Sequence, residues 1–159
     1  NVILSAQQAK ALSGKAVFVV PTRTVPQGIA ALLAFNYQAD AATNAQIMEQ
    51  AHTHVQTVEV THAVRSARVN GISVNEGDVI GLLNGEIKTS GGDFHAVVMQ
   101  ALEMLQLDEN EIVTLYYGQD TDQSAAEELA HKVTERFSHL EVEIVDGGQP
   151  HYPYILSVE

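Results

Sequence analysis

The chain has 159 residues, of which 45% are hydrophobic, and its mean hydropathy is −0.02, which is typical of a soluble globular protein with one hydrophobic core. Twenty acidic residues against eight basic ones give a formal charge of −12. Nucleic acids and anionic membrane surfaces are therefore disfavoured as partners, because both are bound through lysine and arginine. The absence of cysteine excludes disulfides, thiol catalysis and thiolate metal sites, and it fits a reducing cytoplasm.

The first elements are predicted to be a helix, a strand, a loop and a second helix. Residues 2 to 12 predict a helix, and residues 16 to 20 are continuously apolar, as in a strand covered on both faces. A loop stiffened by two prolines follows over residues 21 to 28. The apolar residues 29 to 35 predict a helix and are far short of the roughly 20 residues that span a bilayer. The chain begins without methionine, and we expect it to be a piece of a longer protein.

Residues 43 to 53 predict another helix, with Thr43 or Asn44 as its N-cap. From residue 56 the apolar period becomes two, which indicates a strand with one buried face. The residues that share this predicted face are Val58, Val60, His62 and Val64.

Turn residues predict a small antiparallel meander over residues 55 to 89. Asn70-Gly71 and Asn84-Gly85 predict β-hairpins with type I′ turns, because both central residues of such a turn need φ > 0. Glu76-Gly77-Asp78 predicts a turn between the two hairpins.

Helices and strands alternate in the remainder of the chain. Asp93 is the predicted N-cap of a helix whose apolar stripe is Phe94, Val97, Val98, Ala101, Leu102 and Leu105. The next predicted elements are a strand over 112–117, a helix over 122–137, and strands over 141–145 and 152–158. The residues that this helix is predicted to bury are Ala126, Leu129, Ala130, Val133 and Phe137. The predicted fold class is α/β (α+β), a mixed β-sheet with packed helices.

The histidines give little reason to predict a metal site. His52 and His54, together with His62, are residues of a type that commonly binds zinc. No carboxylate or cysteine stands at a diagnostic spacing from them. We therefore predict no metal, and interpret these side chains as buried or surface histidines.

No catalytic motif is found in the sequence. A nucleophile elbow, a phosphate-binding P-loop and a dinucleotide fingerprint are all missing, and we assign no catalytic residue. Gly91-Gly92-Asp93 before a helix could bind an anion, although a glycine-rich N-cap is the commoner explanation. An anion site formed by Arg23, Arg65 and His62 remains open as an alternative.

Two segments stand out by their composition. The first is the proline-stiffened loop of residues 21 to 28, predicted to follow the carboxyl end of a buried strand, where ligands and partners are often bound. The second, residues 146 to 154, is dense in glycine, proline and tyrosine, residues that permit close backbone approach and anchor interfaces. The alternative for the second segment is a turn into a final strand whose tyrosines fill the edge of the core.

Four segments in the same order resemble one family. Residues 20–36, 60–65, 76–87 and 147–159 are similar to the C-terminal domain of the ATP-binding subunit of bacterial fatty acid kinase, a member of the dihydroxyacetone-kinase-like family. The resemblance covers essentially the whole chain and implies a fold like that of DegV proteins. It departs from the family at His62, where tyrosine is more often expected.

The resemblance implies that the parent protein is an ATP-dependent fatty acid kinase of fatty acid metabolism and phospholipid synthesis. It implies that an N-terminal domain of the parent holds ATP and magnesium, so that no cofactor is expected in this region. The C-terminal region is expected to dock a DegV-type fatty-acid-binding protein, whose bound acyl carboxylate is phosphorylated, in the bacterial cytoplasm. Residues 1–37 would end a first α/β subdomain, and residues 38–159 would form a second.

We therefore predict a non-catalytic docking module without membrane insertion, and a homodimer remains open. The residues predicted to face the partner are Thr22, Arg23, Thr24, Gln27, Gln149, His151 and Tyr152. One alternative is an enzyme or small-ligand site in which Arg23, Arg65 and His62 hold an anionic group. Another is retained acyl binding as in DegV proteins, which requires a deep apolar tunnel.

Overall fold

The computed structural model describes residues 1–69 and 71–159. The chain divides into two compact units, Asn1–Val55 and Gln56–Glu159. The first unit consists of helices α1 (Val2–Leu12), α2 (Val25–Leu33) and α3 (Ala41–Thr53), of which α2 and α3 pack on each other. Helix α3 thus lies in the first compact unit, whereas the sequence predicted that the boundary between the two subdomains follows residue 37.

The second unit is built on a mixed sheet. Its elements are β1 (Gln56–His62), β2 (Ala67–Val69), β3 (Ile72–Val74), β4 (Val79–Leu83), β5 (Glu86–Gly91), α4 (Phe94–Glu103), β6 (Ile112–Tyr117), α5 (Gln123–Arg136), β7 (Glu141–Asp146) and β8 (Tyr154–Val158). Six strands form one sheet in the order β5-β4-β1-β8-β6-β7, and β2 pairs with β3 in a separate ribbon. Only β6 and β7 are parallel among the described pairs. The mixed sheet with packed helices confirms the predicted fold class.

One hydrophobic core joins helices α4 and α5 to this sheet. Helix α4 packs on β1, β4 and β5, and α5 packs on β6 and β7. The predicted apolar stripes supply the buried residues of the two helices, which are Val97, Val98, Ala101, Leu102, Ala126, Leu129, Ala130 and Val133. Strand β8 lies between β1 and β6, and all five of its residues are buried. The last strand of the chain is therefore central to the sheet.

The turn predictions hold wherever the structure describes the residues. Asn84 and Gly85 have φ of 51° and 84°, as a type I′ turn requires. The side-chain oxygen of Asn84 also accepts a hydrogen bond from Thr57 N at 2.9 Å, which ties the hairpin to β1. Gly77 has φ of 88° in the predicted turn at residues 76–78. The prediction for Asn70 lies outside the described residues.

The predicted strand over residues 16 to 20 is wrong. This segment forms no ladder, and the ring of Phe18 is exposed. The reason is that a strand needs a neighbouring strand for its backbone hydrogen bonds, and residues 1–55 contain only helices as regular elements. Continuous apolar sequence therefore did not suffice to form a strand here.

The predicted N-cap of α3 is also wrong. Asp40 caps this helix, because its carboxylate accepts a hydrogen bond from the backbone N–H of Thr43 at 2.8 Å. The same backbone bond, with the Thr43 hydroxyl, holds the pKa of Asp40 below its usual range. The other candidate, Asn44, is buried, and its side chain bonds the loop that precedes the helix.

We expect Asn44→Ala to destabilise the first unit by about 2 to 3 kcal/mol. The Asn44 oxygen accepts from Asn36 N at 2.7 Å, and its nitrogen donates to the carbonyls of Asn36 (2.9 Å) and Ala39 (3.1 Å). Alanine would leave these backbone groups without their partner. Faster hydrogen exchange at the Asn36 amide and a lower urea midpoint are the measurements, with exposed Gln46→Ala as the control. An unchanged Asn36 exchange rate would contradict this role.

Candidate functional site

The loop segment, residues 21–28, is organised around the start of α2. Thr24 is the N-cap, and its hydroxyl oxygen accepts from Gln27 N at 3.4 Å. The side-chain oxygen of Gln27 accepts in return from Arg23 N at 3.0 Å, a reciprocal arrangement similar to a capping box. Pro26 lies in the first turn, where its missing N–H costs nothing. The helix therefore begins at Val25, and the prediction that it begins at Ile29 is wrong.

These bonds assign structural roles to two of the predicted loop residues. Thr24 is buried and Gln27 is half-buried, whereas the side chain of Arg23 is exposed. Thr22 and Arg23 line one side of a cleft of about 590 Å³ whose other side is the first turn of α1. The side chain of Arg23 is thus accessible to a partner, as is that of Val25, which is 62% exposed.

The tail segment, residues 146–154, is held through its backbone. The side-chain amide of Gln149 donates to the carbonyl oxygens of Tyr116 and Tyr152, both at 3.1 Å. The hydroxyl of Thr61 donates to the carbonyl of His151 at 2.5 Å. Gly148 and His151 have φ of 57° and 69°, a conformation that is uncommon for a residue with a side chain. The tail therefore has a defined path into β8.

The tail residues predicted to face a partner differ in exposure. The imidazole of His151 is exposed, and Tyr152 is half-buried. Gln149 is half-buried and uses its amide hydrogens inside the tail. The assignment of these residues to a partner surface stays a prediction.

The residues of the alternative anion site belong to different compact units. Arg23 lies in the first unit, and His62 and Arg65 lie in the second. His62 is exposed, so the predicted apolar face of β1 ends at Val60. Its Nδ1 donates to the carbonyl of Gly77 at 3.1 Å, because a carbonyl can only accept, and Nε2 is then the ring nitrogen that can accept.

A hydrogen-bonded chain of side chains in the second unit was not predicted from the sequence. The Lys132 ammonium lies 2.8 Å from a Glu128 oxygen and 3.1 Å from Nδ1 of His95. Because an ammonium can only donate, the ring proton of His95 is on Nε2, which lies 3.4 Å from the hydroxyl of buried Tyr154. The pairing of residues 95 and 154, far apart in sequence, left no local signal.

Charge and burial shift the pKa of both ends of this chain. The hydrogen bond and the charge of Lys132 hold the pKa of Glu128 below its usual range. Burial raises the pKa of the Tyr154 hydroxyl, and the charges of Glu128 and Asp93 raise it further. These hydrogen-bonded side chains connect α4, α5 and β8, and their polar groups bond to one another. We interpret it as structural.

The described residues contain no group of three histidine, cysteine, aspartate or glutamate side chains that could hold a metal ion. His52 is half-buried, and neither of its ring nitrogens has a hydrogen-bond partner among the described residues. Among the described helices, none has the length and apolar character needed to cross a membrane.

Comparison with solved structures defines the class of fold. The chain is similar to the DegV family protein Cg2579 from Corynebacterium glutamicum, with a TM-score of 0.64 and 15% identity over 98% of this chain and 68% of that one. A Thermus thermophilus DegV family protein, described as binding fatty acid, gives a TM-score of 0.57 and 12% identity over 98% of this chain and 65% of that one. The fold is DegV-like.

Comparison of sequences gives the family. The profile of the FakA-like C-terminal family of fatty acid kinase matches residues 1–159. Protein YloV of Bacillus subtilis (strain 168) is 42% identical over 160 residues, which cover 100% of this chain and 29% of that protein. Protein SAR1202 of Staphylococcus aureus (strain MRSA252) is 31% identical over 159 residues, with the same 29% of its length covered. The chain belongs to the FakA-like C-terminal family, which confirms the sequence resemblance.

Proposed function

We propose that this chain is the docking module of a fatty acid kinase, which binds a DegV-type fatty-acid-binding protein so that the parent protein can phosphorylate the bound acid. Family membership is the observation that carries the proposal. The loop and tail segments support it, because both hold exposed side chains on a hydrogen-bonded backbone. A pre-ordered surface loses little entropy when a partner binds.

We propose no ATP or magnesium site in this chain. The described residues offer no metal-binding group of three, and the sequence contains no phosphate-binding motif. We assign ATP and magnesium to a part of the parent protein outside this chain, which spans 29% of the length of its curated relatives. Docking would place the acyl carboxylate near that part, which favours reaction by proximity.

The test compares the full-length parent protein with a variant that lacks this region. Carrier affinity is measured by calorimetry with a fatty-acid-loaded DegV-type protein, and acyl phosphate formation is measured with ATP. We expect the deletion to weaken carrier binding by at least about 100-fold and to stop turnover. Retained ATP binding is the control that the remaining domains are folded. Equal carrier affinity and equal turnover in the two proteins would overturn the proposal.

The alternative anion site can be tested in the same full-length protein. Arg65→Ala is expected to leave carrier affinity and turnover unchanged, because the proposed docking surface does not include this side chain. Weaker binding of acyl phosphate or free fatty acid by this variant would favour the small-ligand hypothesis instead.

A further inference from the structure

Strand β7 is an edge of the six-stranded sheet, and no described strand pairs with its outer side. At the opposite edge, by contrast, β3 packs on β5. The backbone N–H groups of Glu141 and Gly147 donate to carbonyl oxygens at the two ends of β6, at 2.8 and 3.0 Å. Because backbone groups alternate in direction along a strand, those of Val142, Ile144 and Asp146 point away from the sheet. We call these outward groups the β7 edge.

The side of β7 that faces α5 borders a cleft of about 320 Å³. Its apolar lining is Val142 and Ile144 on the strand and Ala130 on the helix. A strand added along β7 would place every second side chain on this face of the sheet, next to the cleft. The β7 edge therefore offers both unpaired backbone groups and a place for an apolar side chain, which are the two requirements for strand addition.

The charged groups around the β7 edge are mostly acidic. Glu141, Glu143 and Asp146 are exposed on the strand, and Glu127 lines the cleft. Against these four carboxylates the cleft has one histidine, His131. Among the described residues that line the cleft, none is lysine or arginine.

Two tyrosines of β6 are sensitive to this negative charge. Burial raises the pKa of Tyr116, and two carboxylates, one of them Glu143, raise it further. Burial also raises the pKa of Tyr117, and the charges of Asp146 and Glu127 add to the rise. The negative charge therefore acts on both faces of the sheet at this edge.

The basic residues of the second unit lie elsewhere. On α5, Lys132 contacts His95 and Arg136 contacts Glu103, and both contacted residues belong to α4. Helix α4 packs on β1, β4 and β5, which lie away from β7. The other basic residues of this unit stand before or within β2 and in β5, and they are Arg65, Arg68 and Lys88.

Three possible occupants of the β7 edge can be compared. A second copy would bring the three carboxylates of its own β7 against these three, which like-charge repulsion disfavours. The rest of the parent protein, of which this chain spans 29% by the length of its relatives, would cover the edge permanently. Charged side chains on an edge strand prevent unwanted pairing while the edge is open, and their permanent burial would cost desolvation. A partner that binds reversibly and carries lysine or arginine is compatible with both the open edge and its charge.

We propose that the β7 edge is part of the docking surface, and that an extended segment of the partner pairs with it as an added strand flanked by lysine or arginine. This inference rests on the proposed function, which supplies the DegV-type carrier as that partner. The tail segment begins at Asp146, the last residue of β7, so the edge and the exposed side chain of His151 belong to one continuous stretch of chain. Backbone pairing supplies affinity, and the carboxylates orient the partner.

The first experiment follows hydrogen exchange in the full-length parent protein by mass spectrometry, with and without a fatty-acid-loaded carrier. The amides of Val142, Ile144 and Asp146 are expected to exchange rapidly in the parent protein alone and at least about tenfold more slowly with saturating carrier. The amides of the central strand β8 are the control, and they are expected to be protected in both states. Protection of the β7 edge without carrier would overturn the inference and assign the edge to the rest of the parent protein.

A charge variant of the full-length protein tests the chemistry of the partner. Glu143→Lys is expected to weaken carrier binding by about tenfold at low salt and by less at high salt, because salt screens the new repulsion. The matched control is Glu76→Lys, which makes the same change at an exposed turn before β4, a strand separated from β7 by three others. The control is expected to bind within about twofold of the original protein. A loss for Glu143→Lys that is the same at all salt concentrations would contradict a basic partner segment.

A backbone variant tests strand addition itself. Ile144→Pro removes an outward N–H, whereas the bonds to β6 come from residues 143 and 145 and are retained. We expect it to weaken carrier binding by about tenfold relative to Ile144→Ala, which also shortens the side chain but keeps the N–H. Circular dichroism verifies that both variants are folded, and Glu143→Lys decides the matter if the proline variant is not. Equal affinity of folded Ile144→Pro and Ile144→Ala would contradict backbone pairing.

The outcomes separate this inference from the proposed function. If deletion of the region abolishes carrier binding but Glu143→Lys and Ile144→Pro bind normally, the inference is wrong and the docking function stands. If deletion leaves carrier binding unchanged, both proposals are wrong. A Glu143→Lys variant that binds the carrier normally but differs in self-association by sedimentation would overturn the inference and assign the β7 edge to a second copy.

Discussion

Replacing Gly118 with alanine is expected to lower the free energy of unfolding of the second unit by about 3 kcal/mol. A Cβ at this position would lie 2.6 Å from the carbonyl oxygen of Tyr152 and 2.8 Å from that of Gln149. Both obstacles are backbone atoms, so no side-chain rotation relieves the clash. The N–H of Gly118 also donates to the carbonyl of Pro153 at 3.0 Å, which fixes the distance between the two segments. Urea unfolding measures the effect.

The matched control is Gly92→Ala, because a Cβ at Gly92 meets nothing within 4 Å. We expect its free energy of unfolding to change by less than about 0.5 kcal/mol. Under the proposed function, Gly118→Ala also weakens carrier binding, because it displaces the backbone that presents His151 and Tyr152. Equal stability of the two glycine variants would show that the backbone carbonyls of Gln149 and Tyr152 do not pack against Gly118.

Truncation of Leu156 to alanine is expected to destabilise the second unit by about 4 kcal/mol. Leu156 is fully buried in β8 and stands in register with Val58 of β1 on one side and Leu115 of β6 on the other. Both neighbours are themselves fully buried parts of the sheet, so they cannot easily move to fill the space that is left. The cost therefore includes the lost burial of the side chain and the cavity.

Val64→Ala is the control for this truncation, because Val64 is 87% exposed in the same unit. Its expected change in the free energy of unfolding is below about 0.5 kcal/mol. The two variants are compared by urea unfolding with a fluorescence or circular dichroism signal. A loss below about 1 kcal/mol for Leu156→Ala would mean that the strand is not the packed centre of the sheet.

Local sequence signals predicted an element correctly where its hydrogen bonds and backbone angles involve only residues that are close in sequence. The cap by Asp93 needs only the N–H of Ala96, three residues further on, and the type I′ turn at Asn84 needs only φ > 0 at two adjacent residues. Such short-range chemistry can be predicted from the sequence alone. The stripes of α4 and α5 were predicted for the same reason, since their period of 3.6 residues is a local property.

Predictions failed where the structure of a segment depends on residues far away in the sequence, or where a side chain has several possible hydrogen-bond partners. The apolar run at 16–20 predicted a strand, but a strand needs a second strand for its hydrogen bonds, and residues 1–55 fold into helices. Thr43 and Asn44 were predicted as caps of α3, but Asp40 accepts the bond from Thr43 N, and the buried side chain of Asn44 bonds the backbone of Asn36, eight residues earlier. The link between His95 and Tyr154 depends on β8 returning to the centre of the sheet.

The sequence by itself determined the mixed α/β class, most elements of residues 56–159, the family, and two segments that each merit a test of partner binding. Tertiary structure decided which residues of those segments are accessible: it placed Thr24 and Gln149 in internal hydrogen bonds and left the side chains of Arg23 and His151 exposed. The physical reason is that composition and periodicity show whether a side chain can be buried and which hydrogen bonds it can form. Only the packed chain settles which of its possible partners it meets.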